Sequence, residues 1–108
     1  MDLLCRSVIV GELPVLVVSG ELDLASIPLF SDAVVRLTNE HIGVTVAIDL
    51  DGVSVLDDAG LGVLLGAAGR AREHDGDVVL VCTGKRLLER FERSGLMRAI
   101  DVRQRLAP

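Results

Sequence analysis

Two periods of apolar residues run along this chain, and the places where one gives way to the other divide it into elements. Leu3 to Val10 is largely apolar and β-branched, as is Val15 to Ser19, while Gly11-Glu12-Leu13-Pro14 between them has the composition of a turn. So short a connection predicts an antiparallel pair of strands. The period then lengthens. Ile27, Phe30, Val34 and Leu37 recur at helical spacing and predict a helix to about Glu40. Ser26 stands at its N-cap position, and Pro28 falls in the first turn, where a missing N–H does no harm.

Val44 to Leu50 is β-branched and nearly continuous in apolar character, as expected of a central strand buried on both faces. Asp51 to Asp57 reads as a loop. A second helix follows, with Leu61, Leu64, Leu65 and Ala68 on one side, and Asp75-Gly76-Asp77 ends it. Val78 to Cys82 is a short strand, and Lys85 to Ser94 is a third helix with Leu87, Leu88 and Phe91 inward and Gly95 as its C-cap. Ile100 and Val102 suggest a marginal edge strand. Arg103 to Pro108 is too short for a full closing helix.

The order β-β-α-β-α-β-α-(β) predicts an α/β fold: a mixed sheet opened by an antiparallel hairpin and covered by helices. Right-handed crossovers make the second, third and fourth strands parallel, so the loops after them emerge on one edge, where ligands and partners usually meet such sheets. That edge collects Glu21 and Asp23, then Asp51, Asp57 and Asp58, then Thr83, Gly84 and Lys85.

With 108 residues, half of them hydrophobic, the chain has material for one core, and residues 1–108 are read as a single domain. The start has no secretory pattern, which points to the cytoplasm. The uncharged run from Ala59 to Gly69 falls well short of the roughly 18 apolar residues that span a bilayer, so no membrane association is expected. Charge changes the picture more. Residues 1–69 carry 2 basic and 10 acidic side chains (−8), and residues 70–108 carry 9 and 6 (+3), within a net charge of −5. The arginines of the second part read first as solvated helix faces, second as a partner-docking surface and only third as a nucleic-acid contact, since Phe30 and Phe91 are the only aromatic residues.

The acidic edge invites a test for Mg²⁺ or acid–base chemistry at Asp23 and Asp57. Helix capping by Asp57 or Asp58 is the stronger reading, because a carboxylate satisfies free N–H groups and suits the helix dipole. His41 and His74 each sit at a helix end and form no ligand cluster. Gly60-Leu61-Gly62 lacks the third glycine of a dinucleotide fingerprint, and no nucleophile elbow occurs. No catalytic residue, metal, cofactor or small-molecule substrate is expected, and the chain is read as a non-enzyme. Cys5 and Cys82 both fall in strands and read as reduced, buried thiols, with a redox pair as a lesser possibility. Gly60, Gly62, Gly66 and Gly69 are costly in or beside a helix, which implies close packing on the sheet, a smooth docking surface, or both.

Gly20-Glu21-Leu22-Asp23, Ile48-Asp49-Leu50, the run from Val55 through Asp57-Asp58-Ala59-Gly60-Leu61-Gly62 to Leu65, and Ser94-Gly95-Leu96 together resemble the STAS domain of bacterial anti-sigma factor antagonists. The resemblance extends over nearly the whole chain in the same order. It implies binding to an anti-sigma factor of the serine kinase type, release of a sigma factor for transcription, and a monomer or weak dimer. It places the partner surface at Glu21, Asp23, Asp57, Asp58, Ala59, Gly60, Leu61 and Gly62. Such partners phosphorylate a Ser or Thr just before the glycine, and here that position is Ala59, preceded by Asp58. The usual switch is therefore expected to be missing, with Ser54 and Ser26 as lesser substitute acceptors. Two alternatives stand beside this reading: a STAS accessory subunit of a lipid-transport ABC system or signalling complex, and a receiver-like or Mg²⁺-dependent acidic-site protein. The opening hairpin speaks against a receiver, which starts β-α-β.

Overall fold

The computed structural model describes residues 2–105. Its elements are β1 (Leu4–Val10), β2 (Leu13–Leu22), α1 (Ile27–Glu40), β3 (Thr45–Leu56), α2 (Asp58–Glu73), β4 (Asp77–Val81), α3 (Lys85–Ser94), a 3₁₀ turn (Leu96–Arg98) and β5 (Asp101–Arg103). The strands lie in one sheet in the order β1-β2-β3-β4-β5. β1 runs antiparallel to β2, and β2 through β5 run parallel to one another. This is the α/β arrangement that the alternating periods predict, with the marginal edge strand present as β5.

Each crossover moves one strand further in the same direction, and crossovers of one hand then place their helices on one face. The core agrees. Phe30 and Val34 of α1, Leu61 and Leu64 of α2, and Phe91 of α3 join Leu16, Val18, Ile48, Leu50 and Leu80 in one apolar cluster. The other face carries a separate, smaller row in which Val8, Val15, Ala47 and Val79 lie side by side across four strands, with no helical residue in the cluster. The near-continuous apolar character of β3 thus arises from two different neighbours: helices above Val46, Ile48 and Leu50, and only this narrow row around Ala47 below.

Three expectations need correction. β3 does not end at Leu50, because residues 51–56 continue as strand beside β2 and pair Glu21 with Val55 and Leu22 with Leu56. β4 pairs with β3 only from Thr45 to Asp49, so the second half of β3 runs past its neighbour with one side unpaired. A half-exposed strand alternates with polar residues, and Asp51-Gly52-Val53-Ser54 looked like a loop for that reason. β2 is longer than Val15 to Ser19 for the same cause. It keeps step with β3 through two register shifts, and Gly20 there has φ +103° with the Asp2 carbonyl where a Cβ would stand. Ser26, finally, occupies the N-cap position of α1 but makes no side-chain cap. The closing segment beyond Arg105 lies outside the described residues.

Candidate functional site

The overrun of β2 and β3 builds the site. Leu22 and Leu56 are paired and buried, and the Asp57 N–H donates to the Leu22 carbonyl at 2.8 Å. Asp23 and Asp57, the next residue on each strand, therefore emerge as neighbours. Each carboxylate is held by its own backbone. Asp57 Oδ1 accepts from the Ala59 N–H at 2.9 Å and so caps α2, as the capping reading expects. Asp23 Oδ1 accepts from the Ser26 N–H at 3.1 Å, while the Asp23 N–H donates to Ser26 Oγ at 3.0 Å. This reciprocal pair ties down the turn before α1 and takes over the role expected of Ser26 as a cap.

Around these carboxylates the surface is partly apolar. Leu24 is 71 % and Leu29 52 % exposed at the start of α1, and Val55 is 47 % exposed at the end of β3. The glycines of α2 divide. Gly60 is buried, and an added Cβ would stand 2.8 Å from Leu56 Cδ1 and 3.3 Å from Leu22 Cδ2, so close packing is its role. Gly62 is exposed with nothing within 4 Å of the same point, so the fold gives no reason for it to lack a side chain. Ala59 is partly buried, Leu61 nearly fully, and Glu21 partly so within β2.

Asp58 points elsewhere. Its carboxylate accepts from Arg90 Nη2 of α3, tying the start of α2 to that helix. The Asp58 side chain is 92 % exposed, so the pair contributes little to stability, while the buried Nε of Arg90 has no hydrogen-bond partner. Asp51, expected in the loop beside Asp57, instead sits in β3 and accepts from the Thr83 N–H at 2.6 Å and the Thr83 hydroxyl at 3.0 Å. It fastens the β4–α3 connection and stands apart from the Asp23–Asp57 pair. Gly84 and Lys85 open α3 beyond it.

The hydroxyls of Ser26 and Ser54 are both engaged in hydrogen bonds. The Ser26 hydroxyl reaches the carbonyls of Glu21 at 2.9 Å and Asp23 at 3.2 Å, and Ser54 Oγ donates to the Gly20 carbonyl at 3.3 Å. Cys5 and Cys82 are free thiols. With β2 and β3 between them they lie about three strand spacings apart, roughly 14 Å. A disulfide needs Cα atoms within about 7 Å, so the two cannot form a redox pair. Burial pushes both thiols above their ordinary 9.0; for Cys82 a backbone hydrogen bond at Gly84 opposes this, and the charges of Asp51 and Asp49 add to it. His41 and His74 cap the C-termini of α1 and α2 and line a small cavity of about 70 Å³ at the opposite end of the molecule. Among the described residues no group of three or more His, Cys, Asp or Glu side chains is arranged to hold a metal. No helix there is long and apolar enough to cross a membrane.

One feature was not anticipated from the sequence. The second half of β3 and α3 wall an open cleft of about 1060 Å³ beside the start of α2, with Lys85, Arg86, Arg90 and Arg93 along its α3 side. The arginine spacing of four and three residues was the available signal, since at 100° per residue it puts all three on one stripe away from Leu87, Leu88 and Phe91. The sequence alone offers no opposing wall, because residues 51–56 read as a loop.

The family model described as the STAS domain matches residues 6–107. An anti-sigma-B factor antagonist of Listeria monocytogenes is 34 % identical over 86 residues, which cover 80 % of this chain and 75 % of that protein. The anti-sigma-B factor antagonist of Bacillus subtilis is 32 % identical over 85 residues, covering 79 % and 76 %. Among solved structures, an anti-sigma factor antagonist from Mycobacterium paratuberculosis superposes with a TM-score of 0.87 at 21 % identity, covering 97 % of this chain and 88 % of that one.

Proposed function

The chain belongs to the STAS domain family, and from that premise we propose that it is an anti-sigma factor antagonist. It binds an anti-sigma factor of the serine kinase type and so releases a sigma factor for transcription. It works in the cytoplasm as one STAS-like domain over residues 1–108, a monomer or weak dimer, and it acts by occupying its partner, without catalysis.

The observation that carries this reading is the side-by-side emergence of Asp23 and Asp57 from paired β2 and β3. Each carboxylate uses one oxygen on its own backbone and keeps acceptor capacity for a partner's donors. Because both are already fixed, a partner orders little on binding, and the cost of association falls. Leu24 and Leu29 supply apolar contact beside the charges, and Gly60, Leu61 and Gly62 keep the start of α2 low. Asp58 and Ala59 complete the face at the family's switch position. A phosphoryl group there would add about −1.5 to −2 charge units at the centre of the face. Ala59 has no hydroxyl to accept one, so docking is not switched off at this residue.

The experiment measures binding to each anti-sigma factor of the host by calorimetry, with and without ATP. Nanomolar to micromolar binding to one of them, lost in Asp23→Lys, is the expected result. Intact mass after incubation with that partner and ATP should show no gain of about 80 Da, the mass of one phosphate. Capture of a transporter ATPase with no anti-sigma factor bound would replace this reading with the transport one.

A further inference from the structure

The cleft between β3 and α3 is built differently from the acidic face beside it. Its floor is apolar, with Val53, Leu56 and Leu61 each no more than 9 % exposed. Its α3 wall carries four cations and one acid, Glu89. Of the carboxylates across from that wall, Asp58 is paired with Arg90, while Asp51 keeps its charge and accepts from Thr83. Lys85, Arg86 and Arg93 have no carboxylate partner among the described residues. Two of these cations stand in the first turn of α3, which holds no acidic residue, although the positive end of a helix favours acids. One wall of this cleft is thus basic, in a chain whose residues 1–69 carry −8.

We infer that this cleft is a second docking surface, which takes an acidic segment of a protein partner. Charge complementarity selects the occupant: carboxylates entering the cleft meet three unpaired cations over an apolar floor, and arginine is suited to bidentate capture of a carboxylate. A nucleic acid fits less well. Phe30 and Phe91 are both fully buried, so no aromatic ring is offered for base stacking. Asp58 and Leu61 line the cleft and also belong to the proposed docking face. Resting on the antagonist reading, the two surfaces form one bipolar footprint. A basic part of the anti-sigma factor covers Asp23 and Asp57 while an acidic part enters between β3 and α3.

Two measurements separate this inference from the function it builds on. In the first, a short poly-glutamate peptide is titrated into the protein at low salt and backbone amide shifts are followed by NMR. Shifts confined to residues of α3 and the second half of β3, abolished in Arg86→Glu/Arg93→Glu, support it. No shifts, or shifts elsewhere, overturn it, and so does a single-stranded oligonucleotide that perturbs the same residues more strongly. In the second, the double variant is tested against the anti-sigma factor bound by the wild type. Weakening of roughly tenfold or more, with a smaller salt dependence, is expected. Wild-type binding that the double variant leaves unchanged refutes the cleft but not the antagonist. Failure of the wild type to bind any anti-sigma factor refutes the antagonist and leaves the peptide result to judge the cleft. Circular dichroism of the double variant must match the wild type, and Arg86→Lys/Arg93→Lys should retain most of the peptide binding.

Discussion

Gly62→Ala should make this protein more stable and bind its partner less well. The residue lies inside α2 and is exposed, and a Cβ built on it meets nothing within 4 Å. Replacing glycine with alanine in a helix interior gains about 0.8–1.0 kcal/mol when no contact opposes it. For a domain of this size that raises the melting temperature by roughly 4–8 °C. Gly60→Ala is the control. It has the same intrinsic gain, but its Cβ would press on Leu56 and Leu22, which are 4 % and 0 % exposed and have little room to turn away. Overpacking of that kind costs about 1–3 kcal/mol, so Gly60→Ala should be neutral to destabilised by about 2 kcal/mol. The two variants, one helical step pair apart, should therefore differ in sign. Urea denaturation followed at 222 nm measures both, with the midpoint moving up for Gly62→Ala at constant m-value. A destabilised Gly62→Ala would refute the assignment of open space at that position. Stabilisation with unchanged affinity for the anti-sigma factor would remove Gly62 from the docking face, because the remaining reason for a glycine there is a surface that lies against it.

Three further outcomes follow from the same geometry. Asp57→Ala removes the cap bond to the Ala59 N–H and should cost about 1 kcal/mol by urea melt, with Asp57→Asn or Asp57→Ser recovering most of it. Phe91→Ala empties a fully buried position between α3 and the sheet and should cost about 3–5 kcal/mol, with the largest gain in amide exchange along α3 and β5. The cysteines act on the alkaline side. Folding raises both thiol pKa values above 9.0, so the stabilising, protonated form is fully present at neutral pH, and stability falls as pH rises through and beyond that value. Melting temperature should decline less steeply above pH 9 in Cys5→Ser/Cys82→Ala than in the wild type. Peroxide should yield no intramolecular bridge on non-reducing mass spectrometry.

Much of the architecture was open to reading in the sequence because its signals are local. The 3.6 period of Phe30, Val34 and Leu37 and the αL glycine at Gly95 each decide an element by themselves. The antiparallel start and parallel continuation follow from connection lengths alone. The errors fall where a neighbour decides. Residues 51–56 pair with β2 but have no β4 partner, so their polar pattern matched a loop as well as a strand. At the site, the motif located Asp57 and Gly60, and the strand order brought Asp23 beside them. Arg90 stayed hidden because its contact with Asp58 spans 32 residues and has no local signature. The same is true of Asp51 and Thr83, whose separation is also 32 residues.

The Asp58–Arg90 pair bears on how such a protein is regulated. A carboxylate beside the switch position could in principle imitate a permanent modification, but three features argue against that here. Its charge is −1, about half that of a phosphoryl group. It stands one residue early, outside the backbone position that Asp57 caps. And its oxygen is turned toward a guanidinium on α3, where the two formal charges offset each other before any partner arrives. The negative charge at the start of α2 is then that of Asp57 and the Arg90-paired Asp58, with Asp23 next to them, and all three are fixed carboxylates. On the proposed reading, control of the antagonist acts through the amount of protein, through the state of its partner, through a hydroxyl away from Ala59 such as that of Ser26 or Ser54, or through the cationic wall of α3 beside Asp58.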